Sequence, residues 1–86
     1  MYYVYVLHSE KGGNFYVGYT SDLQRRLRLH SEGRVESTKH RKPLKLIYYE
    51  ACTDQKDALH REKYLKTAYG KRYIKNRIAG YLDDLD

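Results

Sequence analysis

Five side chains have the types, and the order along the chain, to work on a phosphate group: Tyr5, Tyr16, Arg26, His30 and Glu62. A phenol holds or relays a proton, and a guanidinium binds phosphate oxygens through paired donors. Histidine exchanges protons near neutral pH. A single carboxylate serves a hard divalent cation when water and phosphate supply the other ligands. Tyr3-Val4-Tyr5 and Tyr16-Val17-Gly18 read as two short strands. Between them Ser9-Glu10-Lys11-Gly12-Gly13-Asn14 has a Gly-Gly-Asn core suited to a hairpin turn. A hairpin brings Tyr5 and Tyr16 together on adjacent strands.

The elements that must position them follow from patterning. Tyr2 to His8 and Phe15 to Tyr19 are the hairpin strands. Ser21-Asp22-Leu23-Gln24 has a capping-box pattern, opening a helix that Gly33 ends. Arg34 to Pro43 is a polar, basic loop, and Leu44 to Cys52 a third strand. Thr53 or Asp54 caps a second helix to Gly70, and Lys71 to Leu82 forms a third. The order ββαβαα predicts an α/β domain: a small three-stranded, mainly antiparallel sheet flanked by about three helices. The 86 residues make a single domain with a short acidic tail at 83–86.

Helical spacing places charges among apolar side chains. At about 100° per residue, Leu23, Leu27 and Leu29 span an arc of the first helix that also contains Arg26 and His30. Charge inside an apolar stripe is costly unless it is paired or lines a cavity. The alternative is that Arg26 snorkels at the stripe's edge and His30 is a satisfied, half-buried ring. On the second helix Glu62 falls between Ala58, Leu65 and Tyr69, while Arg61 and Lys63 point away. Spacing alone leaves Glu62 open between cation ligand and ion-pair partner of Arg26. On the third helix Tyr73, Ile74, Ile78 and Tyr81 form a stripe containing Arg77, with Asn76 outside it. Lys39, His40, Arg41 and Lys42 form a basic loop run suited to phosphate contacts. His8 and His60 read as surface residues, and Cys52 as packing.

Composition narrows the partner. The formal charge is +6, although three of the eleven acids, Asp83, Asp84 and Asp86, lie in the last four residues. Such a surplus suits a polyanion, of which nucleic acid is the commonest. A lone cysteine excludes an internal disulfide and fits a reducing cytoplasm. No apolar run approaches the roughly 18 residues of a membrane span. Met1 is followed at once by Tyr2-Tyr3-Val4-Tyr5, without the basic start of a signal peptide. Gly12-Gly13 lies in a turn and not before a helix, which excludes a glycine-rich phosphate loop.

Taken together, these residues resemble the GIY-YIG endonuclease superfamily, whose two strand motifs are matched by Tyr3-Val4-Tyr5 and Tyr16-Val17-Gly18. The likeness continues through Arg26, His30, Glu62 and Asn76 and covers nearly the whole chain. It is closest to small single-domain bacterial members, similar to the N-terminal nuclease domain of the excision-repair incision subunit. Tyr16-Val17-Gly18-Tyr19-Thr20, Leu46-Ile47-Tyr48-Tyr49-Glu50 and Glu62-Lys63-Tyr64-Leu65-Lys66 carry that closer likeness.

The resemblance implies divalent-metal-dependent cleavage of DNA, with low intrinsic sequence specificity and a setting in repair or processing. Glu62 would hold one Mg²⁺ or Mn²⁺, and Arg26 would bind the scissile phosphate. Tyr5 and Tyr16 would flank the attacking water, with Tyr5 favoured as base. His30 would assist proton movement, and Asn76 would hydrogen-bond within the site. Lys39, Arg41, Lys42 and Lys66 would bind the nucleic acid, with no membrane involved and specificity left to a protein partner. Tyr19 stands where several members carry a lysine, a part that Lys39 or Lys66 would then take. The alternative is a DNA-binding or partner-dependent module of the same fold with little activity alone.

Overall fold

The computed structural model describes residues 1–85; Asp86, the end of the expected acidic tail, lies outside the described residues. In chain order the elements are β1 (Tyr2–Ser9), β2 (Phe15–Thr20), α1 (Leu23–Ser31), β3 (Leu44–Cys52), α2 (Gln55–Leu65), α3 (Ala68–Arg77) and α4 (Ala79–Asp83). The strands form one sheet in the order β2-β1-β3, antiparallel throughout. Among the described residues no helix is long and apolar enough to cross a membrane. The α/β class and three-stranded sheet match the expectation, with four helices in place of about three.

β1 is the central strand, and Val4, Tyr5, Val6 and Leu7 are all buried. Alternate side chains point to opposite faces, so this run supplies two different layers. Val4 and Val6 join Ala58, Leu65, Ile74 and Ile78 in the hydrophobic core on the face covered by the later helices. Tyr5 and Leu7 occupy the other face, opposite Gly18 and Tyr16 of β2. On the β3 side the register shifts between Val6, paired with Tyr48, and Leu7, paired with Leu46. Ile47 is therefore the extra residue of a bulge. Ile47 and Tyr48 both pack against the core despite being adjacent in sequence.

The hairpin closes as its glycines suggest. Gly13 has φ +74°, and the Ser9 amide donates to the Asn14 carbonyl at 2.9 Å. His8 is a correction to its surface assignment. Its half-buried ring makes a 2.7 Å Nδ1 hydrogen bond with the Tyr81 hydroxyl and lies edge-on to Phe15.

The helical boundaries differ more. Asp22, not Ser21, caps α1, accepting the Arg25 amide at 3.1 Å. Asp54 caps α2, which stops at Leu65 and not at Gly70. At the break, the Thr67 hydroxyl donates to the Tyr64 carbonyl at 2.6 Å and accepts the Gly70 amide at 3.2 Å. One side chain thus ends α2 and begins α3. The turn swings Tyr69 out of the expected inward arc, and it is exposed, as is Arg77. Arg61 does turn away from Glu62, but toward β3, where it grips Glu50 with bonds of 2.7 and 3.1 Å. Its guanidinium also lies 4.5 Å from the Tyr73 ring centroid. Burial pushes the Glu50 carboxyl up, but hydrogen bonds from Arg61 and Tyr48 outweigh this and hold it below its usual range.

Gly70 is needed for closeness and not for a turn. A Cβ there would run into the Tyr64 carbonyl oxygen and the Leu65 backbone. Helix propensity alone would favour alanine by about 1 kcal/mol. Gly70→Ala should instead destabilise by about 1–3 kcal/mol, the usual cost of overpacking. Chemical denaturation measures it; an unchanged or raised midpoint would show that α2 and α3 do not depend on this approach.

Candidate active site

The face of β1 that carries Tyr5 is prepared by a missing side chain. Tyr5 pairs directly with Gly18, where any Cβ would fall on the Tyr5 phenol. The ring thus lies across Gly18. Tyr16 pairs with Leu7 and so lies diagonally from Tyr5, their ring centroids 6.3 Å apart. Above this face, α1 places Arg26 and His30 one turn apart. Its end is fixed by Gly33 at φ +73°, with the Gly33 amide donating to His30 and the Arg34 amide to Leu29.

The Tyr5 hydroxyl is the point of convergence. It is 2.8 Å from His30 Nε2 and accepts from Arg26 Nε at 3.4 Å. His30 Nδ1 is in turn 2.7 Å from the Thr38 hydroxyl. Tyr5 and Thr38 are fully buried, and His30 is 2 % exposed. Tyr16 stands edge-on to His30 at 5.3 Å. Burial, and then the Arg26 charge, push His30 down to about 4, so its ring is neutral at neutral pH. Burial also raises the Tyr5 phenol above its ordinary value; the Arg26 hydrogen bond opposes this, while Tyr16 and Glu62 add to it. Arg26 can only donate. With a neutral His30, the arrangement that gives the Tyr5 proton an acceptor leaves Nε2 bare and Nδ1 protonated toward Thr38.

Glu62 is close enough for its charge to act on Tyr5, but its pairing is not the one anticipated with Arg26. Its Oε2 lies 3.3 Å from Lys66 Nζ one turn along α2 and beyond. The carboxylate is 20 % exposed. Among the described residues no three His, Cys, Asp or Glu side chains cluster as an all-protein metal cage. One partly accessible carboxylate does fit a hydrated hard cation completed by water and phosphate. Asn76 is exposed on α3 and makes no side-chain hydrogen bond to these groups. In the basic loop Lys39 is paired with Glu36 at 3.0 Å, whereas Arg41 lines a groove beside Tyr16 together with Lys66. Lys42 is exposed and lies over Gly33.

Residues 1–78 match the GIY-YIG catalytic domain family. The chain belongs to the GIY-YIG family. It is 40% identical over 65 residues to the UPF0213 protein of Streptococcus pneumoniae serotype 4, covering 74% of this chain and 65% of that relative. The chain thus spans just under two thirds of that relative's length. A UPF0213 protein of Bacillus licheniformis is 36% identical over 80 residues, covering 88% of this chain and 81% of its own. The solution NMR structure of the UPF0213 protein BH0048 from Bacillus halodurans aligns with TM-score 0.56 and 30% identity, over 88% of this chain and 84% of that one.

Within this GIY-YIG domain, Thr38 is the site neighbour that sequence reasoning missed. It sits in a loop read as wholly polar and basic, eight residues beyond His30, where no periodicity marks it. The loop folds back through short turns, with the Thr38 amide donating to Val35 and the Arg41 amide to Thr38. Tyr19 packs against the core and accepts from Gln55 at 3.0 Å. Lys66, not Lys39, is the lysine that reaches Glu62.

His30 makes a pH prediction. Its folded pKa lies below the ordinary 6.5, so the unfolded chain binds more protons between about 4 and 6.5. The contribution of neutral His30 is complete above 6.5 and is lost as pH falls toward 4, by up to about 3 kcal/mol. NMR titration of the His30 ring should give a midpoint near 4. A midpoint near 6.5 would contradict the buried, neutral ring.

Proposed function

We propose that this chain is a divalent-metal-dependent endonuclease that hydrolyses DNA phosphodiester bonds with low intrinsic sequence specificity. The observation that carries the reading is the buried Tyr5 hydroxyl, held at 2.8 Å from His30 Nε2 and at 3.4 Å from Arg26 Nε. Membership of the GIY-YIG catalytic domain family supports it. The groups on offer are charges and phenols suited to phosphate, not to base edges, which favours low specificity. The setting this implies is processing or repair of bacterial DNA in the cytoplasm.

In this reading Arg26 binds the scissile phosphate and offsets the negative charge that builds on it. Tyr5 orients the attacking water through its hydroxyl oxygen while its own proton is held toward His30 Nε2. A phenol whose pKa is raised suits this part, because no free phenolate has to accumulate. Thr38 keeps the ring aligned by holding Nδ1. Tyr16 closes the other side of the water's position. Glu62 would hold the Mg²⁺ or Mn²⁺, which when bound supplies positive charge at the phosphate. Asn76 has no contact that assigns it a part.

A second reading, a nucleic-acid-binding domain with little cleavage of its own, is favoured by Lys66: its ammonium already neutralises the carboxylate that a metal would need. Cleavage of plasmid and branched DNA, titrated with Mg²⁺ and Mn²⁺, separates the two. Glu62→Gln and Arg26→Ala should each lower the rate by about 10²–10³, with little change in thermal midpoint. Wild-type rates in the Glu62 variant would reject the metal assignment. No cleavage by the native protein with either metal, on any substrate, together with salt-sensitive DNA binding, would favour the second reading.

A further inference from the structure

Beside Tyr16 runs a groove of about 610 Å³ between the outer side of β2 and α3. Four cations line it: Arg41 from the basic loop, Lys66 between α2 and α3, and Lys71 and Lys75 one turn apart on α3. Among the described residues none of its lining is acidic. Lys71 and Lys75 are exposed and have no carboxylate partner among the described residues. Phe15 and Tyr16, both half-buried, form the aromatic part of the wall. At one end the groove reaches the site itself, since Tyr16 adjoins Tyr5 and His30, and Lys66 holds Glu62.

We propose that this groove is the track for one unpaired strand of the nucleic acid, carrying the chain that flanks the scissile phosphate past Tyr16 and along α3. A positively charged channel with aromatic side chains in its wall is the arrangement that holds single strands, the cations following the phosphates and the rings stacking on bases. A duplex is read differently, by a helix or ribbon that projects into its groove. Here the protein presents a concavity lined by cations, which receives a strand and does not enter one. The track follows the β2–α3 groove and not the whole basic loop, because Lys39 is occupied by Glu36. The inference deepens the nuclease reading and rests on it for the direction of the strand toward Tyr5. Strand capture itself is measurable without cleavage.

Fluorescence anisotropy in EDTA, with the full chain, would compare a blunt duplex, the same duplex with a single-stranded thymidine tail, and the tail alone. Tailed and single-stranded DNA should bind about tenfold more tightly than blunt duplex. Lys71→Gln with Lys75→Gln should abolish that preference. The pair should also make the dependence of log affinity on log salt shallower by about 1.4 for the single strand, near 0.7 per lost phosphate contact. Lys56→Gln with Lys63→Gln, an equal loss of charge on α2 outside the groove, should leave the preference in place. Equal binding of blunt and tailed DNA by the native protein would overturn the proposal. So would a preference retained by the α3 pair or lost equally in the α2 pair. A tail preference that persists in a protein with no cleavage activity would uphold the track while removing the nuclease reading.

Discussion

The structure depends on one constraint: the central strand must satisfy two unlike layers with alternate residues of a single run. Val4 and Val6 serve an apolar core, while Tyr5, between them, delivers a hydroxyl to a polar cluster on the reverse face. Register and chemistry are therefore inseparable. A slip by one residue would carry the phenol into the core and a valine into the site. The bulge at Ile47 lets β3 meet the same demand by giving the core two adjacent side chains.

The polar cluster is fully buried yet leaves no buried side-chain nitrogen or oxygen without a partner among the described residues. That matters because an unsatisfied buried polar atom costs about 1–3 kcal/mol. Each member restrains the next: Thr38 the ring of His30, His30 the phenol, and Gly18 the space in which the phenol lies. The result is a hydroxyl whose position is set before any ligand arrives, which is the condition for preorganised electrostatics.

Much of this was legible in local patterning. Alternation and the Gly-Gly-Asn turn placed Tyr5 near Tyr16, and helical spacing placed Arg26 and His30 on one inward face. The same spacing placed Glu62 among inward side chains of the second helix, and its charge does act on Tyr5. What escaped was decided by contacts distant in sequence or by a single side chain doing two jobs. Thr67 breaks what periodicity joined, and Gly70, which resembles a helix stop, lies inside the first turn of the next helix. Thr38 is buried by a loop whose composition reads as solvent-facing. Lys66 pairs with the carboxylate that spacing left open between a cation and Arg26, because helix neighbours four apart meet without any tertiary requirement.

The position of β2 at the rim of the sheet has a consequence for how copies of this protein behave together. A rim strand carries unpaired backbone groups along its outer side, and another chain's strand can add to them. Here that rim is flanked by Arg41, Lys66, Lys71 and Lys75. Two such rims approaching one another would bring like charges together, whereas a polyanion would be drawn in. Pairing of two such rims is therefore disfavoured by charge, and the strand's edge is left open to a partner of opposite charge.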